Sequence, residues 1–209
     1  MKIKVCGMKY KDNIQEVVRL QPDYLGFIFY KRSKRHFEGT FPVIPDGIKT
    51  VGVFVNAEQS FIKSVVEKHA LDAVQLHGDE SASYCKDLQA VLGADIEIIK
   101  AFSISDRFDF SNLNVFMPCC DFFLFDTKGK ERGGNGILFD WDVLQGYDVE
   151  KPFFLSGGIG LPESNQVRSF LKSKAGEYCF AIDVNSKFES EPGMKKIKEL
   201  KKFIELTKT

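Results

Sequence analysis

Two side chains at the ends of predicted β-strands have the chemistry of an acid–base pair. Cys6 ends the apolar run KIKVC, where a thiolate can act as a base or a nucleophile, although most free cysteines are simply buried. Asp126 follows four apolar residues in FFLFDT. An acid in such surroundings is partly desolvated, so it can hold a proton near neutrality and act as a general acid. A role as a helix cap or an ion-pair partner is the simpler alternative for Asp126.

Glycines and small polar residues follow two other predicted strands. Gly157 and Gly158 come after FFLS, and Asp183 is followed by Asn185 and Ser186. Glycines let an anion approach the backbone closely, and a helix after the second segment would add its positive dipole end. A turn explains a Gly-Gly pair more often, but the two segments together indicate a phosphate site.

The basic run at 31–36 and His77 are less specific signals. One arginine of the run could hold a substrate carboxylate through two hydrogen bonds, although such runs are usually solvated loops. His77 could be catalytic or could form hydrogen bonds within its own loop. The three histidines are scattered, and Asp79, Glu80 and Asp126 form no evident cluster, so we expect no metal site.

Short apolar runs alternate with amphipathic stretches along the whole chain. Continuous apolar runs are typical of parallel strands that are covered on both faces. We predict strands at 2–6, 24–29, 49–54, 73–77, 97–102, 122–127, 153–158 and 178–183. We predict helices at 11–20, 57–69, 80–92, 162–173 and 193–206, the last beginning after Pro192.

Eight such units predict an α/β fold, a closed (β/α)8 TIM barrel, whose chemistry lies at the carboxyl ends of the strands. The competing fold is an open doubly wound sheet, which the absence of GxGxxG after the first strand disfavours. Residues 31–48 contain two prolines and two glycines, and 103–118 indicate a loop or a degraded helix. We therefore expect a short barrel with reduced helices in the second and fifth connections. No linker is evident, so residues 1–209 are predicted to form one domain.

The composition disfavours several classes of function. The 209 residues include 29 Lys plus Arg and 29 Asp plus Glu, so no excess of positive charge favours nucleic acid or an anionic membrane surface. No apolar run approaches the roughly 20 residues of a membrane helix, and the start lacks the apolar segment of a secretory signal. Five cysteines without a CxxC pair indicate reduced thiols. We expect a cytoplasmic protein.

Taken together, the segments resemble the phosphoribosylanthranilate isomerase family of tryptophan biosynthesis. The matching pieces, in the family's order, are KVCGM at 4–8, GFIFYKRSKR at 26–35, VGVFVN at 51–56, VQLHGDE at 74–80, LFDTKGKERGGNG at 124–136, FFLSGGI at 153–159 and AIDVNSKFESEPGMKK at 181–196. The resemblance implies a (β/α)8 barrel that needs no cofactor or metal. It also implies an Amadori rearrangement of N-(5-phosphoribosyl)anthranilate to 1-(2-carboxyphenylamino)-1-deoxyribulose 5-phosphate.

The resemblance assigns roles to individual residues. It implies that Cys6 is the general base, that Asp126 is the general acid, and that Arg35 holds the anthranilate carboxylate. The other expected substrate-binding residues are His77, Gly157, Gly158, Asp183, Asn185 and Ser186. The chain departs from the family where the usual SPR reads Ser33-Lys34-Arg35, where GGTG reads GGNG at 133–136, and where Lys187 replaces a common glycine.

The expected partner is a phosphorylated small molecule, and the expected assembly is a monomer or a homodimer. Indole-glycerol-phosphate synthase shares the phosphate site but would bring several catalytic lysines and glutamates, for which only Lys100 is a candidate. A non-catalytic barrel or an interaction scaffold would need neither the acid nor the base. Glycines 133, 134 and 136 indicate a tight turn, a mobile loop or a lid.

Overall fold

Parallel strands form a closed barrel, and most of the connections between them carry helices. The computed structural model describes residues 1–105, 107–127 and 141–208. The strands are β1 (Lys2–Val5), β2 (Tyr24–Ile28), β3 (Lys49–Phe54), β4 (Ala73–Leu76), β5 (Glu97–Ile104), β6 (Phe122–Thr127), β7 (Phe153–Leu155) and β8 (Cys179–Val184). They pair in chain order, and β1 also pairs with β8, which closes the barrel. The predicted (β/α)8 barrel is confirmed.

The two faces of each strand are buried against different partners. Ile3, Val5 and many other apolar side chains fill the layer between the strands and the outer elements. The interior of the barrel is filled by Tyr24, Val51, Ala73, Ile99, Ala101, Leu124, Phe154 and Ala181. Because side chains alternate along a strand, Lys4 and Cys6 share the inner face of the chain at β1. Lys4 is thus placed inside the barrel, two residues before the predicted base, Cys6.

Five α-helices occur where amphipathic patterns predicted them. They are α1 (Lys11–Val18), α2 (Gln59–His69), α3 (Ala82–Leu92), α4 (Ser164–Phe170) and α5 (Ile197–Lys208). The side chain of Ser81 caps α3 by accepting a hydrogen bond from the Tyr84 amide at 3.2 Å. Glu80 therefore lies before the cap, and the prediction that α3 begins at residue 80 is wrong. The predicted helix at 162–173 is shortened because a 3₁₀ turn, Leu161–Glu163, precedes α4.

The second and fifth connections have reduced helices, as predicted. Residues 29–48, all of which the structure describes, contain no helix. Aromatic rings cover β2 instead: the ring of Phe27 stacks on Phe41 at 3.9 Å between centroids and meets Phe37 edge-on at 5.1 Å. Among the described residues of the fifth connection, the only helix is the 3₁₀ helix Phe110–Phe116.

The last helix begins later than predicted because a hairpin precedes it. The hairpin strands are β9 (Glu189–Glu191) and β10 (Met194–Lys195), which pair antiparallel. Pro192 and Gly193 form the turn, and the φ of Gly193 is +91°, a value that favours glycine. The prediction of a helix at 193–206 that begins after Pro192 is therefore wrong at its start, since α5 begins at Ile197.

Candidate active site

The carboxyl ends of the strands form the mouth of the barrel, and the predicted site residues lie there. Cys6 follows β1, Arg35 lies after β2, His77 follows β4, Asp126 lies in β6, Gly157 and Gly158 follow β7, Asp183 lies in β8, and Asn185 and Ser186 follow β8. In the closed strand order, β7 and β8 separate β6 from β1. Cys6 and Asp126 therefore approach the mouth from strands that are not neighbours.

Cys6 lies beside a buried ion pair. The residue is 4% exposed, and Lys4, two residues earlier, lies on the same face of the chain. Lys4 Nζ donates to Asp183 Oδ1 at 2.8 Å, and Ser156 Oγ donates to Asp183 Oδ2 at 3.1 Å. Both oxygens of Asp183 thus accept hydrogen bonds from protein side chains. To bind the substrate as predicted, one of these oxygens must accept a second hydrogen bond.

A second group of buried charges comes from the hairpin that follows the barrel. Glu189 Oε2 accepts hydrogen bonds from Arg35 Nε at 2.9 Å and Nη2 at 2.7 Å. Lys195 Nζ donates to Glu189 Oε1 and to Asn185 Oδ1, both at 2.7 Å. The side chains of Glu189 and Lys195 are 3% and 0% exposed. The hairpin therefore brings charged groups of its own to the mouth.

Arg35, the predicted carboxylate clamp, already has an anionic partner in Glu189. A guanidinium carries five N–H donors in one plane, and Glu189 occupies the edge formed by Nε and Nη2. A substrate carboxylate would bind through Nη1 or would displace Glu189. The clamp role of Arg35 stays a prediction.

Burial and ion pairs oppose each other in setting the charge of these groups. Burial raises the pKa of the Cys6 thiol, and the charges of Lys4 and Lys195 counter this only in part. Burial lowers the pKa of Lys195 more than its carboxylate partner raises it. Burial also acts on Lys4 and Glu189, but their ion-pair partners outweigh it, so the pKa of Lys4 is raised and the pKa of Glu189 is lowered. Glu189 is therefore ionised at neutral pH.

Asp126 is held by its own strand end and by His77. The Thr127 amide donates to Asp126 Oδ1 at 2.9 Å, and His77 Nε2 lies 3.4 Å from Asp126 Oδ2. The inner face of β5, between these strands, carries the small Ala101, which leaves room for this contact. The side-chain nitrogen of Gln75 lies 2.8 Å from His77 Nδ1. In this amide orientation Nδ1 accepts, so a neutral His77 carries its proton on Nε2, where it can donate to Asp126.

A buried ion pair supports the loop that carries His77. Lys100 Nζ donates to Glu80 Oε2 at 3.0 Å and to the Gly78 carbonyl at 2.8 Å. Glu80 Oε1 also accepts from the Asn56 amide at 2.8 Å, which ties together the loops after β3 and β4. Lys100, the candidate catalytic lysine of the rival synthase, is therefore engaged in supporting a loop.

Gly157 allows the loop after β7 to touch the end of β6. The φ values of Gly157 and Gly158 are +94° and +66°. A Cβ atom at Gly157 would lie 2.7 Å from the Thr127 amide nitrogen and 3.1 Å from Asp126 Oδ1, and closer still to Thr127 Oγ1. This close approach requires glycine whether or not an anion binds.

The segment after β8 differs from the sequence-based expectation. Ser186–Phe188 is a single 3₁₀ turn, so the expected helix dipole is not supplied there. The Asn185 side chain lies between the first loop and the hairpin, since a Cβ at Gly7 would be 2.6 Å from its Oδ1. Any contact of this segment with a phosphate would therefore come from the backbone, the Asn185 amide nitrogen or the Ser186 hydroxyl.

Sequence reasoning missed four residues that surround the predicted ones, namely Lys4, Gln75, Glu189 and Lys195. The two-residue spacing of Lys4 and Cys6 is a usable signal, because it puts both on one face of a strand. The dipeptide Pro192-Gly193 is a turn signal that predicts a hairpin better than a helix start.

Neither a metal-binding cluster nor a membrane-spanning helix occurs among the described residues. Within residues 1–105, 107–127 and 141–208, no group of three or more His, Cys, Asp or Glu side chains is arranged to hold a metal ion. No helix in those ranges is long and apolar enough to cross a membrane. All five cysteines are buried free thiols. The glycines at 133, 134 and 136, predicted to form a turn, a loop or a lid, lie outside the described residues.

The family is decided by a comparison with known protein families. The model described as N-(5'phosphoribosyl)anthranilate (PRA) isomerase matches residues 3–206. The chain belongs to this family. The PRA isomerase of Parabacteroides distasonis is 44% identical to this chain and aligns with 98% of it and with 92% of the relative. The predicted family and its reaction, PRA isomerisation in tryptophan biosynthesis, are confirmed.

Solved structures of PRA isomerases have the same fold. The enzyme from Thermotoga maritima aligns with a TM-score of 0.81 and 32% identity, covering 100% of this chain and 98% of that one. A PRA isomerase in complex with reduced 1-(o-carboxyphenylamino)-1-deoxyribulose 5-phosphate aligns with a TM-score of 0.77 and 30% identity, with the same coverage.

Proposed function

We propose that this PRA isomerase works by proton transfer from Asp126 and to Cys6, without a cofactor. The observation that carries the proposal is the placement of a carboxylic acid and a thiol on β6 and next to β1, strands that do not touch in the closed barrel. A sugar lying between them meets an acid on one side and a base on the other. Each group is nearly buried, with 6% and 4% of its residue surface exposed, so water competes little for either proton.

The chemistry requires both groups. Asp126 donates a proton to the ring oxygen of the ribose, the C1′–O bond breaks, and the nitrogen lone pair forms a protonated Schiff base. The Schiff base acidifies the C2′ hydrogen, which the Cys6 thiolate removes. The resulting enol tautomerises to the ketone. One proton leaves Asp126 and one is taken up by Cys6, so the isomerisation is balanced once solvent resets both groups.

The ends and the middle of the substrate have distinct candidate partners. We infer that the phosphate binds at the loops after β7 and β8, beside Gly158 and Ser186, and that Arg35 holds the anthranilate carboxylate. Among the described residues, Gln75 Oε1 and Thr127 Oγ1 are buried without a hydrogen-bond partner. Because buried polar atoms are nearly always paired in proteins, Gln75 Oε1, on the inner face of β4 with Ala73, is suited to accept a hydrogen bond from a sugar hydroxyl.

The proposal also includes a monomer or a homodimer in the cytoplasm as the working form. Light scattering on the purified protein over a range of concentrations would give the assembly.

A fluorescence assay tests the reaction and its catalytic groups. The substrate is generated in place from anthranilate and phosphoribosyl pyrophosphate by a phosphoribosyltransferase, and loss of its fluorescence follows the isomerisation. We expect turnover with the wild-type protein and competitive inhibition by inorganic phosphate. Loss of substrate no faster than in buffer would overturn the reaction, and turnover unaffected by phosphate would overturn the phosphate site.

A further inference from the structure

The β1–β8 side of the mouth holds more buried positive than negative charge. In the described part of the chain, the cations on that side are Lys4, Arg35 and Lys195, with side chains 0%, 14% and 0% exposed, and the carboxylates are Asp183 and Glu189, 5% and 3% exposed. Buried charges are strongly unfavourable unless they are paired. The pairs Lys4–Asp183 and Arg35–Glu189–Lys195 leave one positive charge in excess.

Lys4 lies on the same face of the chain as Cys6, and Lys195 bonds to a side chain that packs beside the next residue, Gly7. Lys4 precedes Cys6 by two residues on the inner face of the barrel, and the Cys6 amide continues the pairing of β1 with β8 by donating to the Val184 carbonyl at 2.9 Å. Lys195 Nζ bonds to Asn185 Oδ1, the atom that packs against Gly7 next to Cys6. An ammonium has three N–H donors. Among the described residues, two of those on Lys195 are used by Asn185 and Glu189, and one is left for a third acceptor.

We propose that the thiolate formed when Cys6 loses its proton is the third anion of this cluster and that Lys4 and Lys195 are the positioning residues that hold it. The inference rests on the proposed function, in which Cys6 is the base. Desolvation works against a thiolate at a buried position, and two ammonium groups offset that loss. The charges that act on the ionisation of Cys6 are those of Lys4 from β1, Asp183 from β8 and Lys195 from β10, and Glu189 links Arg35 to Lys195 by hydrogen bonds.

Alkylation of the thiol tests the proposal without substrate. The rate of reaction of Cys6 with iodoacetamide is measured from neutral to strongly alkaline pH in the wild type and in Lys4→Gln and Lys195→Gln variants. Each loss of an ammonium should raise the pKa of Cys6, which leaves about a tenfold smaller thiolate fraction at neutral pH for each unit of the shift. Because a more basic thiolate is also more nucleophilic, the rate at neutral pH should fall by about three- to fourfold for each unit. The other cysteines should contribute little, because burial raises the pKa of Cys85, Cys120 and Cys179 to about 12 and that of Cys119 as well. A Cys6→Ser protein gives that background directly.

Lys2→Met is the matched control, since Lys2 lies on the same strand and face but at its exposed start, over the ring of Phe180 at 4.6 Å. Its alkylation profile should equal that of the wild type. Unchanged profiles in both glutamine variants, with native circular dichroism, would overturn the proposal. Unchanged alkylation together with a raised KM would assign the excess charge to a substrate anion and would overturn it equally.

A reciprocal measurement covers the case in which the lysine variants fail to fold. If the thiolate and the ammonium groups stabilise each other, removing the thiol must lower the pKa of the lysines. Cys6→Ser changes one atom and should preserve the fold. Nuclear magnetic resonance titration of labelled lysine side chains should then show Lys195 losing its proton at lower pH than in the wild type. An identical Lys195 titration in the two proteins would overturn the proposal.

The experiments distinguish a failure of the proposal that Cys6 is the base from a failure of the proposal that Lys4 and Lys195 stabilise its thiolate. If Cys6→Ser retains turnover, Cys6 is not the base, although the thiolate cluster can still exist. If the variant is inactive but the thiol and lysine titrations are uncoupled, Cys6 is the base without the help of Lys4 and Lys195.

Discussion

In the proposed mechanism the carboxyl of Asp126 and the thiol of Cys6 transfer protons at different steps, so neither can replace the other. We expect Cys6→Ser and Asp126→Asn each to lower kcat by about 100-fold or more, the range that general acid–base groups contribute. Steady-state kinetics on folded variants measures this. Cys179→Ala is the matched control, because this thiol lies at the start of β8, at the opposite end of the barrel, and should leave kcat unchanged. Near-normal turnover in either active-site variant removes that residue from the mechanism.

Arg35 bonds to Glu189, so replacing it can change the fold as well as the binding of a carboxylate. A comparison of ligands with and without the anthranilate group separates these two effects. We expect Arg35→Ala to weaken binding of anthranilate-bearing ligands by about 10- to 100-fold, the scale of hydrogen bonds to a charged group, while simple sugar phosphates bind as before. Isothermal calorimetry with both ligand types makes the comparison. Arg32→Ala, an exposed arginine of the same loop, should affect neither. Equal losses for both ligands on Arg35→Ala would mean that the residue acts through folding or through a general electrostatic field.

Single residues also show how far the sequence leads. Cys6 and Asp126 could be chosen because each ends an apolar run, and strand ends meet at the mouth of a barrel. Glu189 and Lys195 could not be chosen, because nothing local marks them as buried. Their burial comes from partners far away in sequence, such as Arg35, which lies 154 positions from Glu189.

At the scale of elements, the loop after β7 has two adjacent glycines that serve different purposes: one for packing against β6 and one for the proposed phosphate. Gly157 is required by contact with the end of β6, whereas Gly158 is the residue beside the proposed phosphate. We expect Gly158→Val to abolish detectable binding of inorganic phosphate, because a branched side chain at a φ of +66° is strained and fills space beside the backbone. Crystals grown with phosphate and calorimetry measure this. Lys187→Ala is the control, with a loss of at most about 1 kcal/mol, as for an exposed ion pair. Phosphate bound elsewhere, with this loop unoccupied, would contradict the site.

The second connection shows how side chains can replace a helix. The ring of Phe37, 4% exposed, packs against Phe27, Phe29 and Phe41 over the strands. We expect Phe37→Ala to lower the free energy of unfolding by about 3–5 kcal/mol, as for other buried aromatic residues. Urea unfolding measures the loss. Val43→Ala, in the same connection but 88% exposed, should change stability by less than about 0.5 kcal/mol. Equal effects would mean that the aromatic cluster does not hold this connection in place.

The secondary structure was predicted best where runs of apolar residues recur along the chain. The continuous apolar runs identified all eight strands, since parallel strands are covered on both faces. The hairpin β9–β10 was missed because Met194 and Ile197 fit a helical period as well as they fit a strand and the helix after it. What decides between them is the pairing of Lys195 with Glu189 and with the Asn13 side chain, which accepts a hydrogen bond from the Lys195 amide at 2.7 Å. Such contacts depend on the folded barrel.

At the scale of the whole molecule, barrel closure couples two ionisations that must take opposite states. In the proposed mechanism the base, Cys6, must be a thiolate and the acid, Asp126, must be protonated. Burial raises the pKa of Cys6 above its ordinary value, and carboxylic acids ordinarily titrate well below thiols. The reactive form is therefore a minority at every pH. The fraction of the reactive form grows with pH up to the pKa of the acid, stays level, and falls above the pKa of the thiol. The acidic limb of the activity profile therefore reports the carboxylic acid and the alkaline limb reports the thiol, the reverse of what a base that must lose its proton and an acid that must keep it would suggest.

We therefore expect a bell-shaped dependence of kcat/KM on pH, with an alkaline limb set by Cys6. On the plateau, the reactive fraction equals the ratio of the thiol's acid dissociation constant to that of the carboxylic acid. A variant that raises the pKa of Cys6 must then do two things together: move the alkaline limb up, and lower the plateau about tenfold for each pKa unit. Lys195→Gln should show both changes, and Lys2→Met should show neither. The measurement is kcat/KM at constant ionic strength over the range in which circular dichroism reports a folded protein. A lower plateau with an unmoved alkaline limb would mean that the loss of activity does not come from a change in the pKa of Cys6. A profile that stays flat over the whole range would contradict paired acid–base catalysis itself.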